Sequence, residues 1–119
     1  MATFWTSFER ARVFEDREYG QWGLELVPRD EAQRFTERFK AERVRDYRDG
    51  DLVIGKFLGD SELLVVRADE QRYDFGSVLV ALPLDPRERW HEPARSLGAF
   101  LLAYARAEGQ KFWEDARVP

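Results

Sequence analysis

Apolar and polar positions change rhythm several times along the chain. In "WGLELV", Trp22, Leu24 and Leu26 alternate with Gly23, Glu25 and Val27, which predicts a strand with one apolar face. The residues before it, "RVFEDREYGQ", have the acidic centre of a turn. In "PRDEAQRFTERFKAERVRDY", Ala32, Phe35 and Phe39 recur at helical spacing among charged residues. That spacing predicts an amphipathic surface helix of roughly three to four turns. Asp30 is its expected cap, with Gln33 three residues on completing a capping box.

From Asp51 the period shortens. "DLVIGKFL", "SELLVVRA" and "SVLVALPL" are three strand-like runs rich in Val, Leu and Ile. Their separators, "GDS" and "DEQRYDFG", are too short for a parallel crossover and predict antiparallel neighbours. "DPRERWHEP" reads as a polar loop bounded by proline. Ser96 then caps a second helix, whose apolar stripe is Leu97, Phe100, Leu101, Tyr104 and Ala105, and Gly109 closes it. Gly98 inside this helix costs about 1 kcal/mol relative to Ala and is expected to mark close packing. The tail "KFWED" is expected to fold back through Phe112 and Trp113. Strand, helix, meander and helix together predict an α+β domain, a mainly antiparallel sheet with helices packed on it.

Length and composition restrict the functional classes. The 119 residues suffice for one core, so the whole chain, 1–119, is expected to form a single domain. Cysteine is absent, which excludes disulfides and thiolate metal sites, and the one histidine, His91, cannot build a multi-histidine centre. The longest apolar runs are far short of a membrane span, and "MATFWTSFER" lacks the pattern of a secretory signal. A cytoplasmic protein is the expectation.

The charge is unevenly placed. Residues 49–74 hold seven acids (Asp49, Asp51, Asp60, Glu62, Asp69, Glu70, Asp74) against three bases (Lys56, Arg67, Arg72), so this window equals the net charge of −4 of the whole chain. Such a field repels nucleic acid and attracts basic partners, and the same acids equally fit solvated turns between strands. Residues 29–48 carry seven bases against five acids, the mixed pattern of a solvated, salt-bridged helix rather than a phosphate-binding stripe.

Candidate chemistry is thin. "GDLVIGKF", Gly50 to Phe57, matches G-x-x-x-x-G-K, but Phe57 replaces the magnesium-binding hydroxyl and Val53 and Ile54 belong in a strand. The spacing of Asp46, Asp49 and Asp51 does not fit a calcium loop, which would also need Glu where Phe57 stands. Asp60 and Glu62 are placed on a wet hairpin tip, unsuited to acid–base catalysis. No serine sits in a nucleophile elbow, and His91 reads as a surface residue. Of the four tryptophans, Trp90 has the most charged neighbours and is the expected exposed anchor for a partner.

The order and turn residues of "WGLELV", "DLVIGKFLGDSELLVV", "GSVLVALPL" and "SLGAFLLAYARAEG" resemble the SUKH (Smi/Knr-like) superfamily, most strongly over residues 20–108. The matching features are a strand ending in Ile-Gly, a Gly-Asp turn into an apolar strand, a Gly-led strand and a Ser-Leu-x-x-Phe-Leu helix. The N-terminal "MATFWTSFERARVFEDREYG" departs from the family, whose helical opening carries Leu-Pro and an Asn-Gly-Gly-like turn. The resemblance implies a SUKH-like fold with a curved antiparallel sheet. It also implies non-enzymatic protein binding without cofactor or metal, as in bacterial immunity proteins that neutralise a toxin. On this reading a basic, nuclease-type toxin domain meets an acidic surface containing Asp49, Asp51, Asp60, Glu62, Asp69 and Asp74, with Trp90 beside it. The protein is then a monomer or weak dimer, with no nucleic-acid or membrane partner. The alternative is an intracellular regulatory module that binds a host protein. A third hypothesis is a divalent-metal enzyme using Asp49, Asp51, Asp60 and Glu62.

Overall fold

A computed structural model describes residues 11–13, 23–59 and 61–115. Six strands follow one another across a single antiparallel sheet: β1 (Ala11–Val13), β2 (Gly23–Leu26), β3 (Asp51–Leu58), β4 (Leu63–Arg67), β5 (Val78–Ala81) and β6 (His91–Ala94). Helix α1 (Arg29–Glu42) links β2 to β3, while α2 (Leu97–Arg106) and the short α3 (Phe112–Asp115) follow β6. The α+β fold expected from the sequence, with an antiparallel sheet and packed helices, is the one observed.

The sheet is covered on both faces. On one, Leu24, Leu26, Ile54, Leu64, Val66, Val78 and Val80 meet Phe100, Tyr104 and Trp113 from α2 and α3. On the other, Val53, Val65 and Ala81 meet Tyr47 and Trp90, with Phe35 and Phe39 of α1 packed against them. Two covered faces explain why β4 and β5 read as continuous apolar runs rather than alternating ones, since successive residues point into opposite cores. Trp113 is buried among Phe57, Phe100, Tyr104 and Phe112, so the tail does fold back.

"GDLVIGKF" is strand, with β3 beginning at Asp51. Gly50 lies before it at φ +90°, a turn conformation, and Gly55 lies at a register shift between β3 and β4. A Cβ on Gly55 would stand 2.9 Å from the Glu25 carbonyl oxygen and 3.2 Å from a Leu24 methyl, so close approach of β2 requires glycine here. Beside the irregularity, Thr36 of α1 is buried. Its Oγ1 accepts from the Val53 N–H at 2.8 Å and donates to the Ala32 carbonyl at 2.7 Å, tying the helix to the strand.

Several local expectations change. Helix α1 starts one residue earlier than Asp30; Pro28 is its cap residue and no side chain caps it, although the Ala32 N–H donates to the Pro28 carbonyl at 2.9 Å. Proline ahead of the first turn fixes φ where a donor has no use, and Asp30 instead places its charge in that turn, 3.4 Å from Arg34. The "DPRERWHEP" segment is not all loop: Arg87–Arg89 form a 3-10 turn and His91–Ala94 form β6. Pro93 is tolerated because β6 is an edge strand. In α2, Ser96 caps as expected, its Oγ accepting from the Ala99 N–H at 3.1 Å, and Gly109 takes φ +82°. Gly98 does not mark close packing, because a Cβ there would meet nothing within 4 Å.

Candidate partner-binding surface

The segment joining β4 to β5 is built from short-range chemistry. Asp69 Oδ1 accepts from the Gln71 N–H at 2.9 Å, and the Asp69 carbonyl accepts from the Arg72 N–H at 3.1 Å. The Phe75 N–H donates to Arg72 at 3.2 Å, and the Ser77 N–H to Asp74 at 3.0 Å. Gly76, at φ +91°, allows its N–H to return to the Arg67 carbonyl at 2.7 Å and close the loop. Turn follows turn, and the product is a tightly hydrogen-bonded platform. At its tip Tyr73 is 101% exposed, with Phe75 at 44% beside it.

Beneath this loop lies a buried ion network. The Asp51 side chain is 0% exposed and opens β3 directly opposite Arg67, the last residue of β4. Arg67 donates to Asp51 Oδ1 at 2.6 Å and to the Asp49 carbonyl at 2.8 Å, and its Nε donates to Asp74 Oδ2 at 2.9 Å. Arg87, from the 3-10 turn, grips Asp51 with two donors at 2.5 and 3.1 Å, and the Arg48 N–H adds a fourth bond at 2.7 Å. Arg87 also donates to the Asp46 carbonyl at 3.0 Å, and Asp46 Oδ2 pairs with Arg43 at 2.8 Å. Arg43 then ties down the Leu82 and Asp85 carbonyls. One hydrogen-bonded chain, Arg43–Asp46–Arg87–Asp51–Arg67–Asp74, in which Asp46 and Arg87 are joined through backbone groups and the other links are ion pairs, thus joins the end of α1 to both loops flanking β5.

These contacts decide protonation. Burial alone would raise the Asp51 carboxyl, but bonds from Arg87, the Arg48 N–H and Arg67 outweigh it and hold the group below its ordinary value. Asp69 is also lowered, first by the Gln71 N–H; desolvation opposes this, and Arg72 and Arg67 add to the lowering. Tyr47 moves the other way: burial, with smaller offsetting contributions from neighbouring charges, pushes its hydroxyl up to about 12.

The acidic window of the sequence is not a single acidic face. Asp51 is buried and fully committed. Asp74 is mostly covered and paired with Arg67; its other oxygen, Oδ1, is buried without a hydrogen-bond partner. Glu62 belongs to the opposite end of β3, where Lys111 approaches it at 3.1 Å, and the eight residues of β3 separate the two ends by roughly 23 Å. Asp60 lies outside the described residues. Asp49 and Glu70 are exposed and Asp69 partly so. The turn at Gly50 packs against Asp69, bringing Asp49 and Asp69 to the same end as Tyr73. Arg48 and Arg72 line the cleft beside Tyr73 with Asp49 and Asp74, so the surface there carries both signs.

Trp90 is not the exposed anchor expected from its charged neighbours. It is 8% exposed, packs edge-on against Tyr47 at 5.0 Å and donates from Nε1 to the Asp85 carbonyl at 3.2 Å. It is buried in the cluster with Tyr47, Val53, Val65 and Ala81, and the guanidinium groups of Arg43 and Arg87 stand 5.6 and 5.3 Å from its ring. Sequence reading missed Tyr73, Arg67, Arg87 and Thr36 as organising residues. An aromatic at the centre of a polar separator, in "DEQRYDFG", was the available signal for Tyr73.

Among the described residues, no group of three or more His, Asp or Glu side chains is arranged to hold a metal ion, and no helix is long and apolar enough to cross a membrane. Comparison of the chain with protein-family models, with curated proteins and with solved structures finds no match.

Proposed function

We propose that this chain is a non-enzymatic protein-binding domain, of the toxin-neutralising immunity type that the SUKH resemblance implies, and that the β4–β5 loop is its contact surface. The observation that carries this reading is Tyr73, fully exposed on a loop closed by its own hydrogen bonds and braced by a buried ion network. A large, rigid aromatic with few rotatable bonds loses little entropy on binding, and residues of this kind supply most of the energy of an interface. Phe75 extends the apolar contact. Around it the acids Asp49, Asp69 and Glu70 exceed the bases Arg48 and Arg72 by one charge, an excess that favours a basic partner and speeds its approach.

The test is co-expression with the toxin domain encoded beside this gene, if the neighbouring reading frame has an exported architecture. Wild-type protein should restore growth, and Tyr73→Ala combined with Phe75→Ala should lose protection while keeping a wild-type circular dichroism spectrum. Full protection by the double variant would place the contact elsewhere. A neighbourhood without such a frame, together with a host protein bound in a Tyr73-dependent way, would replace the immunity reading with a host-binding module.

A further inference from the structure

A second concavity lies away from Tyr73, between α1 and the β3–β4 hairpin, with a volume of about 480 Å³. That is within the range of small-ligand sites. Phe39, Tyr47, Leu63, Ala81 and Pro83 supply its apolar lining. Tyr47 is 6% exposed, and its buried hydroxyl has no hydrogen-bond partner.

The rim is charged, but most of those charges are already matched. Arg38 pairs with Glu42 at 3.1 Å, Arg43 with Asp46 at 2.8 Å, and Glu62 with Lys111 at 3.1 Å. Lys56 is the exception. Its ammonium stands 5.6 Å from the centre of the Phe35 ring and makes no ion pair among the described residues. Glu25, its cross-strand neighbour, is buried and engaged in interactions of its own. An apolar hollow with one cation at its edge that makes no ion pair among the described residues is complementary to a molecule with an apolar body and a single negative end.

We propose that this cleft binds a small apolar carboxylate, with its hydrocarbon body against Phe39, Leu63 and Ala81 and its carboxylate at Lys56. Contact with Lys56 makes the site discriminate by charge: an acid binds better than the corresponding alcohol, and the amine binds worst.

Octanoate, octan-1-ol and octylamine serve as probes, titrated against ¹⁵N-labelled full-length protein. Octanoate should shift the amides of Phe39, Tyr47, Leu63 and Ala81 and bind about three- to fivefold more tightly than octanol, as expected for one partly exposed charge contact. Lys56→Met, a substitution at a half-buried rim position, should remove that preference and leave octanol within twofold. Equal binding of acid and alcohol to the wild type, an unchanged preference in Lys56→Met, or shifts confined to other residues would each overturn the proposal. Because Tyr73 takes no part in the cleft, failure here leaves the protein-binding reading standing. Loss of partner binding by Tyr73→Ala with octanoate binding intact would confirm that the two surfaces are separate.

Discussion

Asp51→Asn removes the charge at the centre of the buried network while preserving size and some hydrogen bonding. In the wild type four donors converge on this carboxylate, and its side chain and those of Arg67 and Arg87 are 0, 7 and 8% exposed. Neutralising the acid leaves two covered guanidinium groups short of a counter-ion. Breaking a buried pair by removing one partner costs about 3–5 kcal/mol, and the retained amide places this substitution near 3. For a domain of this size that corresponds to a fall in melting temperature of roughly 12 °C. Urea unfolding followed by tryptophan fluorescence measures the loss directly. Arg87→Met alone should also be costly, and the double variant should lose about 2 kcal/mol less than the sum, because the two residues act as one unit. The pH dependence gives a second check. The folded carboxyl titrates below its unfolded value, so its contribution is fully present above about pH 4 and is lost as pH falls through the folded value. Asp51→Asn should therefore flatten the acid limb of the stability curve. A loss under about 1 kcal/mol, or additive single effects, would refute the claim that Asp51 organises this end of the sheet.

Other substitutions test separate contacts. Thr36→Val keeps the shape but leaves the Val53 N–H without its acceptor, and should cost about 1–3 kcal/mol in the same unfolding assay. Tyr47→Phe removes a buried, unbonded hydroxyl and should be neutral or stabilising by up to about 1 kcal/mol at pH 7. Wild-type stability linked to that hydroxyl is fully present below about pH 10 and is lost as pH rises toward about 12, so the phenylalanine variant should show a weaker alkaline decline. Gly98→Ala has open space and a helical backbone, and should raise stability by about 1 kcal/mol by thermal melting.

Elements with a strong local period were legible in the sequence. The bounds of β3 coincide with the apolar run "DLVIGKFL", the stripe of α2 is the one that buries Phe100 and Tyr104, and Ser96 marks its start, while its end at Arg106 comes three residues before Gly109. Edge strand β6 was not legible, because "HEPA" has neither alternation nor β-branched residues and is strand only through its pairing with β5. The candidate surface failed for a related reason. Sequence proximity grouped Asp51, Asp60, Glu62 and Asp74, but an antiparallel meander sends the two ends of β3 far apart and brings Arg87 from 36 positions away onto Asp51. Charge counted along the chain therefore overstated charge on the surface. Trp90 misled in the same way: its charged sequence neighbours signalled solvent, but the guanidinium of Arg87 among them stands 5.3 Å from its ring.

The central claim is that Tyr73 anchors a protein partner, and the most direct measurement is that partner's affinity for a small set of variants by calorimetry and surface plasmon resonance. Tyr73→Ala should weaken binding by about 2 kcal/mol or more, roughly thirtyfold, mainly through faster dissociation. Asp49→Asn, Asp69→Asn and Glu70→Gln combined should instead slow association and reduce its salt dependence, while Glu62→Gln, at the far end of β3, should change neither. Binding by Tyr73→Ala within twofold of wild type would contradict the account.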